Sequence, residues 1–177
     1  MTNNKKNIWI LVRQDGESID ESTFGLIAEA RRIISDTGES GTVTAVIIGP
    51  ATDNAIASLK PGGADKIIHI RHDSLERYHG ELFARVFFEE AKKADVSCVL
   101  IAHDEGFSDF APRVSAMMNV PLVTKAMDFG FDERGKGVAV RPVSNGYQFE
   151  RVVIDEGNTP VISYLPSVLS EAGDFKK

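Results

Sequence analysis

A chain of 177 residues with 42% hydrophobic and 26% charged residues has the make-up of one globular domain, able to bury roughly 70% of the surface its unfolded chain exposes. A formal charge of −6 works against attraction to nucleic acid or anionic lipid, and no run approaches the roughly 20 apolar residues that a membrane helix requires. The single cysteine, Cys98, excludes an internal disulfide, and the short apolar run after Lys5 and Lys6 is no secretory signal, so the expected location is cytoplasmic with neither nucleic-acid binding nor membrane insertion.

Ile8 to Val12 is a continuous apolar run, the pattern of a strand buried on both faces of a parallel sheet. Turn residues Gln14 to Ser18 follow. Phe24, Ile27, Ala28, Ala30, Ile33 and Ile34 then recur at helical spacing until Gly38 supplies a stop. Val43 to Ile48 reads as a second buried strand, and Ala51 to Leu59 as a short helix ended by Pro61-Gly62-Gly63. Lys66 to Ile70 is the third strand, with Leu82, Phe83, Val86, Phe87 and Ala91 marking the next helix. Cys98 to Ala102 is the fourth strand, Phe110 to Met117 the helix after it, and Pro121 to Val123 the fifth strand. Beyond Met127 no helix-length segment separates the strand-like runs Val138 to Val143, Phe149 to Ile154 and Val161 to Leu165. The chain therefore predicts a parallel core with antiparallel strands added toward the carboxyl end. About residues 1–6 and 168–177 read as disordered ends.

Few residues carry a chemical signature. There is no glycine-rich dinucleotide turn and no P-loop, and the acidic neighbours of Gly16, Asp15 and Glu17, would repel phosphate. Cys98 lies in an apolar strand and reads as a buried hydrophobe. His103, Asp104 and Glu105 sit at a strand end, but adjacent residues of extended backbone point apart and no second cluster has metal-ligand spacing, so they read as a solvated loop. His69, His72 and His79 are scattered.

The loop from Gly106 opens a helix and is the strongest candidate site, since ligands of open parallel sheets collect at the carboxyl ends of the strands. There Ser108 and Asp109 are placed to cap the helix, Pro112 is tolerated in its first turn, and Arg113 faces either a surface carboxylate or a ligand. In the late strands, Arg141 precedes a loop in which Asn145-Gly146 is a strong type I′ hairpin signal, with Tyr147 and Phe149 nearby. The candidate contact residues are thus Gly106, Ser108, Asp109, Arg113, Arg141, Asn145 and Gly146, serving either a cofactor or a partner.

The order Asp109-Phe-Ala-Pro-Arg113 resembles the Asp-Leu-Ala-Pro-Arg helix of the electron transfer flavoprotein alpha subunit. Gly16 with Ile19 to Thr23, Leu26 and Ala30 are similar to that family's first helix, Gly63-Ala64-Asp65-Lys66 to its Gly-Ala-Asp-Lys turn, Tyr78, Glu81 and Ala84 to its third helix, and Arg141-Pro142 to its Arg-Pro before a glycine loop. The resemblance covers Ile8 to Pro166 and implies the amino-terminal domain of that subunit. Its three-layer Rossmann-like fold is shared distantly with adenine nucleotide alpha hydrolases and universal stress proteins.

It also implies a module of electron transfer, not itself a catalyst, working beside a beta-like subunit or another flavin-bearing protein. The family's second domain, which supplies most FAD contacts, has no counterpart in these residues, so FAD is expected only in a site shared with a partner or an oligomer. The departures concern the loops: Phe107 and Ser108 stand where the family has a glycine and a basic residue, and Ser144-Asn145-Gly146-Tyr147 replaces its aromatic-small-glycine loop. A small domain holding AMP, ATP or FAD at its own strand ends is the alternative, and a homo-oligomer is a further expectation.

Overall fold

The computed structural model describes residues 5–15 and 17–172. Its centre is a six-stranded sheet built from β1 (Lys6–Leu11), β4 (Gly41–Ile48), β5 (Lys66–Ile70), β6 (Cys98–Ala102), β7 (Leu122–Ala126) and β11 (Val161–Tyr164) in the order β5-β4-β1-β6-β11-β7. Every neighbouring pair is parallel. A two-residue ribbon, β2 (Gln14–Asp15) with β3 (Ser18–Ile19), follows β1.

Side chains alternate across the central sheet because successive residues of extended backbone point to opposite faces. Ile8 and Ile10 of β1, with Val43, Ala45, Ile47, Cys98, Leu100 and Ala102, enter one core. Trp9, Leu11, Val46, Ile48, Val99 and Ile101 enter the other. The first core is covered by α1 (Glu21–Thr37) and α5 (Pro166–Ala172), the second by α3 (Gly80–Ala91) and α4 (Phe110–Met118). This three-layer arrangement buries both faces of β1, β4, β6 and β11, which is why those strands are predominantly apolar.

Local chemistry sets the helix limits. Asp20 accepts the Ser22 N–H at the start of α1, and Gly38, the stop expected from the sequence, closes it in the left-handed region at φ 66°. The short helix α2 (Asp53–Ser58) begins on Thr52, which accepts the Ala55 N–H. In α1, Gly25 lies directly against the Leu169 backbone of α5, so the two helices meet where no side chain intervenes.

The late strands divide differently from the simplest expectation. β8 (Asp128–Phe131), β9 (Gly137–Val143) and β10 (Gln148–Ile154) are antiparallel and form their own sheet in the order β10-β9-β8. β11 instead returns to the parallel sheet between β6 and β7. Parallel neighbours require a long crossover, and here the antiparallel sheet takes the place of the crossover helix. The buried run Val161–Tyr164 demands an interior position, which overrides the hairpin-like spacing from Ile154. One face of the antiparallel sheet, with Phe129, Ala139 and Ile154, joins the core beneath α1. Arg32 of α1 fastens it there by donating to Asp128 Oδ1 at 2.7 Å and to the Phe129 carbonyl at 2.9 Å.

The expected ends divide too. Lys6 already belongs to β1 and Pro166–Ala172 are helical, because Leu169 is buried against α1. Residues 1–4 and 173–177 lie outside the described residues, as does Gly16.

Candidate functional site

In this sheet the strand order reverses between β1 and β6: β4 and β5 extend to one side, β11 and β7 to the other. A crevice at such a switch point is where open α/β sheets bind ligands. Here it is filled by the chain itself. Arg13, just beyond β1, forms an ion pair with Asp104, just beyond β6. Asp104 also accepts the Gly106 N–H, the self-bonding turn typical of aspartate. Phe107 closes the gap, its ring 4.3 Å from that of Tyr78 and 6.5 Å from that of Phe83. The cleft left among Leu11, Arg13, Ile101, Asp104 and Phe107 is about 10 Å³, room for about one water, whereas small-molecule sites occupy roughly 300–1,000 Å³.

Arg13 is placed from both sides. Its N–H donates to Thr23 Oγ1 at 2.9 Å, and its carbonyl accepts the Asp20 N–H at 3.0 Å and the Thr23 hydroxyl at 3.3 Å. The Asp20 to Thr23 start of α1 thereby fixes the turn after β1. Motif reasoning misses Arg13 and reads Asp104 only as part of a solvated loop. The available signal is that each immediately follows a buried strand, and those strands are adjacent across the reversal.

Four predicted contact residues gather in the loop after β6 and the first turn of α4. Gly106 closes the Asp104 turn, and Ser108 donates to the Glu105 carbonyl at 3.0 Å. Capping of α4 by Ser108 or Asp109 is not observed: Asp109 takes the cap position with helical backbone and without a capping bond. Its carboxylate goes elsewhere, accepting the Tyr78 hydroxyl at 2.6 Å and pairing with Arg113 Nε at 3.0 Å. It lies against Gly80, where a Cβ would collide with it. The Tyr78 hydroxyl bond leads the effects holding Asp109 below the ordinary carboxylate range, and the Arg113 bond adds to it. Burial, followed by Asp109, pushes the Tyr78 hydroxyl up. The Asp-x-Ala-Pro-Arg motif thus locks the start of α4 to the start of α3. With both partners about half exposed, the Arg113 pair by itself contributes little.

Arg141, Asn145 and Gly146 sit apart, on the β9–β10 hairpin. Arg141 pairs with Glu150 directly across the hairpin, Nη2 to Oε2 at 2.8 Å. Asn145 (φ 55°, ψ 32°) and Gly146 (φ 86°) have the backbone of a type I′ turn, closed by the Tyr147 N–H on the Ser144 carbonyl at 3.2 Å, as predicted. Among the described residues no hydrogen bond or ion pair joins this group to the loop after β6.

The residues read as a solvated loop are only partly so. Glu105 is exposed, but Asp104 is engaged by Arg13, and His103 Nδ1 lies 3.1 Å from Ser163 Oγ of β11. Burial, with Lys125 adding to it, holds the His103 pKa below its ordinary value. Cys98 is fully buried and its thiol pushed up by that burial, the behaviour of a packing residue. Among the described residues no group of His, Cys, Asp or Glu has the geometry to hold a metal, and no helix is long and apolar enough to cross a membrane.

The Gly63-Ala64-Asp65-Lys66 turn has a structural task. Asp65 accepts the Val43 N–H at 2.7 Å and Arg31 Nη2 at 2.6 Å, while Arg31 donates to the Gly63 carbonyl. This knot ties the start of β4 to α1. A larger cleft of about 400 Å³ lies at the opposite end of the sheet. Asp36, Glu39, Asp132, Glu133 and Glu156 outnumber its cations Lys6 and Arg134, so it suits no phosphate. The described residues at the switch point do not fit a flavin dinucleotide either: Phe107 fills the space, Arg13 is already paired with Asp104, and Glu105 adds negative charge.

Comparison with known proteins accords with this architecture. The profile described as "Electron transfer flavoprotein domain" matches residues 8–176. The chain is 25% identical over 170 residues to the electron transfer flavoprotein subunit alpha of Thermoanaerobacterium thermosaccharolyticum, covering 96% of this chain and 51% of that protein. It is 29% identical over 149 residues to the subunit of the same name from Bacillus subtilis, covering 84% and 44%. The acryloyl-CoA reductase electron transfer subunit beta of Anaerotignum propionicum is 23% identical over 130 residues, covering 73% and 35%. The chain spans about half the length of the first two relatives. A parallel sheet with its antiparallel appendage, the motif-built knots at Asp65 and Asp109, and the match over residues 8–176 lead to one conclusion: the chain belongs to the electron transfer flavoprotein domain family.

Proposed function

We propose that this chain is an alpha-type module of electron transfer that holds no nucleotide of its own and works beside a flavin-bearing partner, in the cytoplasm, as a scaffold or accessory module and not a catalyst. Residues 1–177 act as one unit in this reading. The observation that carries it is the switch-point crevice of a family member filled by Arg13, Asp104 and Phe107. Gly106, Ser108, Asp109 and Arg113, with Arg141, Asn145 and Gly146, then serve contacts to a beta-type subunit or another flavoprotein. Any FAD of the assembly is contributed by, or shared with, that partner.

The test is titration of the purified chain with FAD and with ATP, followed by mixing with the beta-type electron transfer flavoprotein subunit of the same organism. The proposal expects no saturable binding of either nucleotide by the chain alone and a stable complex with the subunit. Stoichiometric binding of FAD or ATP by the chain alone refutes it.

A further inference from the structure

Of the asparagines among the described residues, only Asn145 is followed by glycine, and the Asn145-Gly146 pair is exposed at the tip of the β9–β10 hairpin. The Asn145 side chain makes no hydrogen bond among the described residues. The bond that closes the turn runs from the Tyr147 N–H to the Ser144 carbonyl at 3.2 Å, so turn closure does not engage the Gly146 nitrogen. A Cβ placed on Gly146 would meet nothing within 4 Å, and glycine itself carries none, so the space beside that nitrogen is open. The other described asparagines are held. Asn7 donates to the Asp95 carbonyl at 3.0 Å and accepts the Thr44 hydroxyl at 3.2 Å. Asn158 donates to the Asp155 carbonyl at 3.0 Å and precedes Thr159, whose branched Cβ crowds its own backbone. The nitrogen after Asn119, that of Val120, donates to the Ser115 carbonyl at 3.1 Å. The nitrogen after Asn54, that of Ala55, donates to Thr52 Oγ1 at 3.2 Å.

We propose that Asn145 is a site of spontaneous deamidation, the first of the described asparagines to react. Asparagine is a thermolabile residue because the backbone nitrogen that follows it can attack its side-chain carbonyl carbon. Here the Gly146 nitrogen, losing its proton to solvent base, bonds to Asn145 Cγ. The bond from Cγ to the side-chain nitrogen breaks, and that nitrogen takes up a proton and leaves as ammonia. Water then opens the resulting succinimide ring at either of its carbonyl carbons. One route leaves aspartate at position 145, and the other carries the main chain through the β-carbon as isoaspartate. One water is consumed and one ammonia released for each residue converted, with no change of oxidation state. The two products affect the hairpin differently. Aspartate tolerates the left-handed backbone held here at φ 55°, so it keeps the turn and adds a carboxylate at the tip. Isoaspartate adds a methylene to the main chain of a turn whose length fixes the hairpin register. The pairing of Arg141 with Glu150 across the ladder then loosens.

The experiment incubates the folded full chain in mildly alkaline buffer and follows each asparagine by peptide mass spectrometry, with isoaspartate counted by isoaspartyl methyltransferase labelling. Asn145→Gly is the control: Gly-Gly suits the same turn, and glycine has no carboxamide to lose. The urea-unfolded chain gives the rate with the fold removed. The expected result is conversion at Asn145 before any other described asparagine, and a fall in methyltransferase labelling in Asn145→Gly. Conversion should also quicken as pH rises, because the attacking nitrogen must lose its proton. Conversion first at Asn7, Asn54, Asn119 or Asn158 overturns the assignment. So does an intact Asn145 in the folded chain over a period in which the unfolded chain converts there, because the turn would then protect the residue. Neither outcome bears on the function proposed above, since no partner or nucleotide takes part.

Discussion

Replacing Phe107 with alanine tests the filled crevice. The ring packs on Tyr78 and Phe83 and lines the cleft beside Leu11 and Ile101, so its removal loses both buried apolar area and two aromatic contacts. Full burial of a phenylalanine makes such a truncation cost about 3–5 kcal/mol. Phe107 is half-buried, which lowers the expectation to about 2–3 kcal/mol. For a chain of this length that corresponds to a fall of roughly 4–12 °C in melting temperature. The cleft would grow from about 10 Å³ to on the order of 100 Å³, still short of the roughly 300 Å³ at which ligand pockets begin, and the Arg13–Asp104 pair would still span it. Urea denaturation followed by circular dichroism measures the first expectation, and FAD and ATP titration the second. A loss below about 0.5 kcal/mol would show that the ring is not a structural plug. Saturable nucleotide binding by the variant would show that Phe107 alone had been blocking a functional site.

Other consequences follow from particular contacts. In Asp65, burial opposes the charge but is outweighed by the Arg31 and Val43 bonds, so its pKa is lowered; its stabilisation is present above the ordinary carboxylate range and is lost as pH falls through the folded value. Asp65→Asn keeps an acceptor for Val43 and loses only a half-exposed ion pair, about 0.5–1 kcal/mol. Asp65→Ala orphans the Val43 N–H as well, about 1–3 kcal/mol, and the gap between each variant and wild type in urea melts should narrow in acid. His103 has a depressed folded pKa, so the folded state binds its proton less readily than the unfolded chain, and stability falls as pH drops from the ordinary histidine value to the folded one. His103→Asn should flatten that loss when urea midpoints are compared at about pH 7 and about pH 5; equal losses would contradict it. A Cβ at Gly25 meets the Leu169 backbone, which cannot swing aside as a side chain can. Gly25→Ala should therefore cost about 1–3 kcal/mol and expose α5 to limited proteolysis, and an unchanged digestion pattern would refute the close packing.

The parallel core was legible because burial on both faces leaves a local signature: Ile8 to Val12 and Cys98 to Ala102 are unbroken apolar runs, and Val43 to Ile48 is interrupted only by Thr44. Gly38 and Asn145-Gly146 were legible because left-handed backbone narrows residue choice. The direction of Val161–Tyr164 was not, since strand direction follows from where burial is available, not from the spacing to the previous strand. Asp109 was expected to cap its own helix, but its carboxylate is claimed by Tyr78 and Arg113 and seated over Gly80. Two of those partners are distant in sequence and leave no trace in the local pattern. The Arg13–Asp104 pair was hidden for the same reason: only the adjacency of β1 and β6 brings it together.

The most direct test of the account is gel filtration monitored in the visible flavin band. The chain is run after incubation with FAD, first alone and then with the beta-type subunit of the same organism. The account predicts that the chain alone elutes colourless, and that flavin absorbance co-elutes with it only when the partner is present. Flavin retained one-to-one by the chain alone would contradict it, because the crevice between β1 and β6 would then have to open around a nucleotide it has no room to hold.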